Sequence, residues 1–265
     1  MHELLRHLPS GGRVLDLGSR TGSFSSESCP AALVVRVDLE RPGDKDKGFV
    51  QAGAARLPFA SGCFDAIVSN HSLEHMQELA SVLAEIGRVV KPGGALYLSV
   101  PDASTFSDWL YRWVYHGGGH VNPFRSREEL ASVITSATSL ELMASRDLAT
   151  SFGFLERRYF RPRPPRRMWL FANGNRAVVV WIGYLARRLD RFFGTRWSAY
   201  GWAMYFGRLE EPVGRAVWRN VCVTCGSGFP ADVLLQTGCV RRYLLWPSYS
   251  CPECGGWNLF TRDWG

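Results

Sequence analysis

The chain has 265 residues, 46% hydrophobic and 21% charged, with a formal net charge of +7. That composition excludes a disordered polymer and allows one substantial core plus a smaller module. The longest apolar stretch, Ala177–Ala186, is far below the ~20 residues of a spanning helix. Met1–Pro9 lacks a signal's apolar run, so a cytoplasmic protein with at most peripheral membrane contact is expected.

In chain order, Arg13–Leu17 is an apolar strand that breaks into a Gly-containing turn. Ala32–Val37 reads as a second strand ending at Asp38, Gly48–Gln51 as a short third, Phe64–Ser69 as a fourth and Ala95–Val100 as a fifth. Leu79, Val82, Leu83, Ile86, Val89 and Val90 share one helical face, and Lys91-Pro92-Gly93-Gly94 ends that helix. Strands joined by helical crossovers predict a mostly parallel sheet with helices on both faces. Ser126–Glu129 is a capping box opening a helix to about Ser136, and Leu140–Leu148 reads as a sixth strand.

An arginine-rich, aromatic segment follows, interrupted by Pro162, Pro164 and Pro165. Met168–Phe193 reads as one or two helices, Tyr200–Leu209 as a last strand, and Glu210-Glu211-Pro212 as a boundary. The expected division is an α/β domain over 1–211, with a basic helical insertion at 155–199, and a small module over 216–265. Eleven arginines and two acids lie between Leu155 and Tyr200, so this stretch carries +9 and the remainder −2. Any anionic partner belongs there. Over 157–197, arginines on lipid head groups with Trp169, Phe171, Trp181, Tyr184, Phe192, Phe193 and Trp197 in the apolar boundary would give peripheral membrane contact. A plain cover helix with solvated arginines fits the same pattern and is favoured. Nucleic-acid backbone binding is a third reading, with no dedicated RNA module to support it.

Asp16-Leu17-Gly18-Ser19-Arg20-Thr21-Gly22 follows the first strand directly, where glycines let the backbone approach a ligand. Asp38 closes the second strand and can accept hydrogen bonds from two ribose hydroxyls. The G-x-x-x-G spacing does not suit a pyrophosphate, and a Gly-rich turn by itself is equally an ordinary strand-to-helix connection.

Asp16–Gly22, Asp38, Ala54–Phe59, Phe64–Asn70 and Val90–Gly94 resemble, in order and spacing, the successive motifs of class I S-adenosylmethionine-dependent methyltransferases. The subgroup with ubiquinone, menaquinone and small-molecule enzymes is the nearest. The resemblance covers about residues 10–150, rejoins at 200–209, and implies a Rossmann-like, seven-stranded α/β fold. It also implies that the Asp16 turn binds S-adenosylmethionine, with Gly18, Ser19 and Gly22 around the methionine end. Asp38 would hold the ribose, Leu39 would pack on the adenine, and the base edge would be read near Gly53 and Ala54. Asn70 and His71 would face the methyl group. The chain departs from the family pattern at Arg20, usually glycine, and Gly53, usually acidic.

Methyl transfer from a sulfonium is a displacement that depends on alignment and exclusion of water. An oxygen nucleophile must also lose a proton, which suits histidine. His71 and His120 are the catalytic candidates. His75 equally fits packing on the following helix. His120 follows Gly117-Gly118-Gly119, where substrate would enter.

Of seven cysteines, Cys222/Cys225 and Cys251/Cys254 form two C-x-x-C-G knuckles with 25 residues between them. This spacing resembles a zinc ribbon, and a closed Cys₄ set predicts structural zinc ahead of redox pairs or disulfides. Cys239 is expected to be a small buried residue. Whether the ribbon binds protein or nucleic acid, or only braces the fold, is open in the sequence. The expected function is methyl transfer to a small-molecule or lipid-linked acceptor, at oxygen. RNA methylation and a cofactor-impaired scaffold are the alternatives.

Overall fold

The computed structural model describes residues 4–5, 8, 11–20, 22–24, 29, 33–41, 48–116, 119–160, 165–208, 217–241 and 246–262. Seven strands form the main sheet: β1 Arg13–Leu17, β2 Leu33–Asp38, β3 Phe49–Gln51, β4 Phe64–Asn70, β5 Val90–Pro101, β6 Leu142–Ala149 and β7 Ala199–Gly207. Their order is β3-β2-β1-β4-β5-β7-β6, with β3–β2, β2–β1, β1–β4 and β4–β5 parallel. The strand order reverses between β1 and β4. In such sheets the crevice at the carboxyl ends on either side of that reversal is where ligands bind.

The apolar runs become strands because both faces of the central ones are covered: Leu15, Ile67, Val68, Leu96 and Leu98 are fully buried. Helix α1, Leu79–Val89, buries Val82, Leu83, Ile86 and Val89. It ends before Val90, and β5 begins there, so Lys91–Gly94 lies inside the strand and the fifth strand is longer than expected. Helix α2, Phe106–Val114, was not anticipated, although Thr105 caps it by accepting a bond from Asp108 N at 3.3 Å. Helix α3, Arg127–Thr138, opens with Ser126 Oγ accepting from Glu129 N at 3.1 Å. A Cβ on Gly87 of α1 would stand 2.5 Å from Ala137 O, so only glycine allows that approach.

The chain divides into two compact units. One comprises Met1–Asp102, Gly119–Arg146 and Trp202–Arg215; the other Ala103–Gly118, Asp147–Gly201 and Ala216–Gly265. The basic insertion and the cysteine module thus fall in the same unit. In it, Met168–Phe193 resolves into 3₁₀ turns over Arg166–Gly174, broken at Phe171–Asn173, and helix α4, Arg176–Phe193. The cysteine module adds β8 Asn220–Val221 paired with β9 Gly228–Phe229, helix α5 Ala231–Gln236, and an antiparallel sheet of β10 Val240–Arg241, β11 Ser248–Ser250 and β12 Trp257–Leu259. Thr21, Ala32, Gly117, Gly118, Pro162, Pro164 and the boundary at Glu210-Glu211-Pro212 lie outside the described residues. Among the described residues no helix is long and apolar enough to cross a membrane.

Candidate functional site

At the carboxyl end of β1, Gly18, Arg20 and Gly22 all have positive φ, at 70°, 42° and 107°. Arg20 therefore keeps a glycine-like backbone despite its side chain, a strained state of the kind concentrated at binding sites. The bend aims its N–H at Asp38 Oδ2, 2.8 Å away. Asp38 Oδ1 accepts from Leu39 N at 2.7 Å. Gly18 N and Ser19 N both donate to Val37 O, at 2.8 and 3.1 Å, which ties the turn to β2.

Asp16 is fully buried. Its carboxylate accepts from Ser23 N and Ser23 Oγ at 2.8 and 2.6 Å, with Arg36 Nε at 3.9 Å. Burial raises its pKa, and the Ser23 bonds oppose that rise. Asp16 acts by closing the turn. Arg36 was missed, though a lone arginine in the apolar run LVVRVD was its signal. Gly18 has a second reason to be glycine: a Cβ would lie 2.5 Å from Ser72 Cβ. Ser72 Oγ meets Leu17 O at 3.1 Å and Ser69 Oγ at 2.6 Å, joining β1 to the end of β4.

Leu39 is 69% exposed beside Asp38, and the nearest atom to a Cβ built on Gly53 is Leu39 Cδ2 at 3.8 Å. Gln51 Nε2 fixes the Leu39 carbonyl at 2.8 Å. An apolar side chain held open to solvent between a carboxylate and the half-buried Gly53–Ala54 backbone is a platform for a flat base. The turn with three positive φ values, the carboxylate and the platform together fit an adenosyl group.

Asn70 ends β4, and its Oδ1 accepts from Ser99 Oγ at 2.6 Å. His71 follows with φ 53°, donating its N–H to Ser99 O at 3.0 Å. Burial, then the charges of His120 and His75, lower the His71 pKa to about 4, so its ring is neutral near pH 7 and is a weak proton acceptor. His75 Nδ1 bonds Gly119 O at 2.9 Å, and its ring meets His120 edge-on at 4.9 Å. Burial lowers the His75 pKa against that bond, with His120 and Arg20 adding to the fall. The structure thus gathers His71, His75 and His120, which lie up to 49 positions apart in the chain.

In the other unit, Cys222 Sγ lies 3.7 Å from Cys254 Sγ and Cys225 Sγ 3.6 Å from Cys251 Sγ. Four sulfurs around one tetrahedral ion with ~2.3 Å bonds would be ~3.8 Å apart, so the set fits zinc. A disulfide needs ~2.05 Å, and all four cysteines are unbridged. Gly226 and Gly255 take φ 76° and 70° and turn each knuckle. Asn258, which sequence reasoning missed, donates to Cys222 Sγ at 3.3 Å and to Gly256 O at 2.9 Å and accepts from Val223 N at 3.0 Å. Cys239 is half-buried rather than buried.

Several arginines of the basic segment are spent inside this unit. Arg158 donates to Val223 O at 2.6 Å, and Arg176 to Thr224 Oγ1 at 3.0 Å and to Trp257 O. Arg187, 5% exposed, donates to Thr261 Oγ1 at 3.1 Å and Leu259 O at 3.2 Å. Arg167 stacks on Trp113 at 4.4 Å and donates to its carbonyl. A solvated face does not describe Arg167, Arg176 and Arg187, whereas Arg158 stays exposed while it bonds. Of the aromatics named above, Tyr184 is buried, while Trp169, Phe192, Phe193 and Trp197 are exposed.

A family model described as a methyltransferase domain matches residues 1–137. A malonyl-[acyl-carrier protein] O-methyltransferase from Methylococcus capsulatus is 33% identical over 141 residues, covering 48% of this chain and 51% of that protein. A demethylmenaquinone methyltransferase from Renibacterium salmoninarum is 36% identical over 113 residues, covering 40% and 47%. The chain spans about half the length of these relatives. The solved [4+2]-cyclase SpnF is 20% identical with a TM-score of 0.53, covering 80% of this chain and 81% of that one, a likeness of fold alone.

Proposed function

Because the chain belongs to the methyltransferase-domain family, we propose that it transfers a methyl group from S-adenosylmethionine to a small-molecule or lipid-linked acceptor, at oxygen. Fold by itself does not carry this reading, since a cyclase has the same fold. The observation that carries it is the Asp38 carboxylate at the carboxyl end of β2, held by Arg20 N and Leu39 N beside an exposed Leu39. When bound, S-adenosylmethionine supplies a methyl group on a positively charged sulfur.

The chain's own residues bind and orient. Asp38 would take the ribose hydroxyls with the lone pairs its two backbone bonds leave. Leu39 would stack on the base, and Gly18, Ser19 and Gly22 would admit the methionine end close to the backbone. Asn70 and neutral His71 would line the methyl group without placing a positive charge against the sulfonium. In this reading an acceptor hydroxyl would lose its proton beside His71 and His120. The relatives that act on malonyl-carrier protein and demethylmenaquinone favour a carrier- or lipid-linked acceptor.

RNA methylation is disfavoured by the arginines committed to carbonyls. The Cys₄ set would hold a structural zinc with no open coordination position. Asp38→Ala should weaken S-adenosylmethionine binding, read by calorimetry, about 10–100-fold through loss of charged hydrogen bonds. Wild-type affinity in that variant would refute the ribose assignment.

A further inference from the structure

Beyond Asn70 the chain makes a tight 3₁₀ turn, Leu73–His75, whose Glu74 is 1% exposed. Residues 119–122 are stapled onto this turn. Val121 N and Asn122 N both donate to Glu74 O, at 2.8 and 3.1 Å. Asn122 Nδ2 donates to Leu73 O at 2.8 Å and Met76 O at 2.6 Å. Four bonds from two adjacent residues thereby fix His120 over Glu74 and His75. One donor atom from each of Glu74, His75 and His120 lies within 4.8 Å of the others.

We propose that Glu74, His75 and His120 form a binding site for one divalent transition-metal ion, distinct from the cysteine cluster. Ligands at ~2.1 Å around a tetrahedral ion are ~3.4 Å apart, so the side chains would close by up to about 1.4 Å, within reach of a rotamer adjustment. The bond from His75 Nδ1 to Gly119 O supports the assignment. A carbonyl only accepts, so Nδ1 carries the proton and Nε2 keeps its lone pair for a metal. A ligating histidine is commonly held in this way, its second ring nitrogen donating to a backbone carbonyl.

Two imidazoles and one carboxylate leave coordination positions open, unlike the closed Cys₄ set. Those positions would take an oxygen donor. A hydroxyl bound there gives its proton to water at a lower pH than in solution and keeps the electron pair on oxygen. That consequence rests on the methyl-transfer reading; the site does not. It assigns His75 and His120 the holding of a cation in place of direct proton removal.

The test is a cobalt(II) titration of the full chain, with the cysteine site first filled by zinc, followed by visible absorption and metal analysis. One further equivalent should bind, with weak d–d bands and no thiolate charge-transfer band. His120→Ala, at a half-exposed position, and Glu74→Gln should each weaken that binding at least tenfold, while His116→Ala should not. No cobalt beyond the cysteine site, or undiminished binding by His120→Ala, would overturn the proposal. S-adenosylmethionine titrated into the same samples tests the other reading separately. If cobalt binds and the cofactor does not, the site stands and the methyl-transfer reading falls.

Discussion

In the sheet unit, Leu15, Leu17, Ile67, Leu83, Ile86, Leu96 and Leu98 interlock at near-zero exposure. The unit that holds α4 and the cysteines has a thinner apolar core around Phe152, Leu155, Met168 and Val179. Strands of two or three residues cannot bury enough surface to offset their ordering entropy. There, arginine forks grip carbonyls and four cysteine sulfurs cluster around one point. The contrast teaches that basic side chains in a sequence can be internal ties. A guanidinium reaches several acceptors at once, which short strands cannot supply for themselves.

Metal removal should separate the two regions most sharply. A strong chelator should unfold 217–262, because structural zinc contributes on the order of 10 kcal/mol to such modules. Proteolysis and near-ultraviolet circular dichroism would read the loss, while S-adenosylmethionine binding persists. Unchanged protease protection would remove the structural-metal reading. A smaller effect is expected from Arg187→Met, which leaves Leu259 O and Thr261 Oγ1 without their donors. Urea denaturation should show a loss of about 2 kcal/mol. Arg187→Lys should not restore it, because an ammonium lacks the fork.

The smallest effect belongs to the sheet unit's surface. Lys91 Nζ meets Asp65 Oδ1 at 2.5 Å, with Lys91 43% exposed. Burial alone would raise the Asp65 pKa, but the bonds from Lys91 and Arg13 N outweigh it and hold the carboxyl below its ordinary value. A lowered folded-state pKa stabilises above the unfolded value near ~3.9 and fades as pH falls below it. Lys91→Met should therefore cost under about 1 kcal/mol at pH 7, and the cost should shrink as pH falls through the lowered folded-state value. A difference that grew on acidification would contradict the assignment.

Much of the fold was legible without coordinates. β1 to β5 are apolar runs and α1 has an apolar stripe, signals that depend only on local period and burial. The Ser126 cap and the two cysteine knuckles were legible for the same reason: each is a short-range pattern with one geometric solution. Helix α2 went unassigned in the sequence because its cap shows only once Thr105 is seen accepting from Asp108 N. At Lys91–Gly94, Pro92 rightly ended the helix, but the strand starts at Val90 and carries those residues as an irregularity between the Phe64–Val90 and Ala66–Ala95 pairs.

The amino-acid sequence by itself determined the α/β layout, the Asp16 turn, the Asp38 terminus and the Cys₄ set, because these depend on spacing along the chain. Only the tertiary structure decided that Ser72 demands Gly18, that Arg36 underlies Asp16, that arginines bind carbonyls of the ribbon, and that His120 returns over Glu74. Each of those joins residues at least 20 positions apart, where no periodicity links them and only the folded backbone brings donor to acceptor.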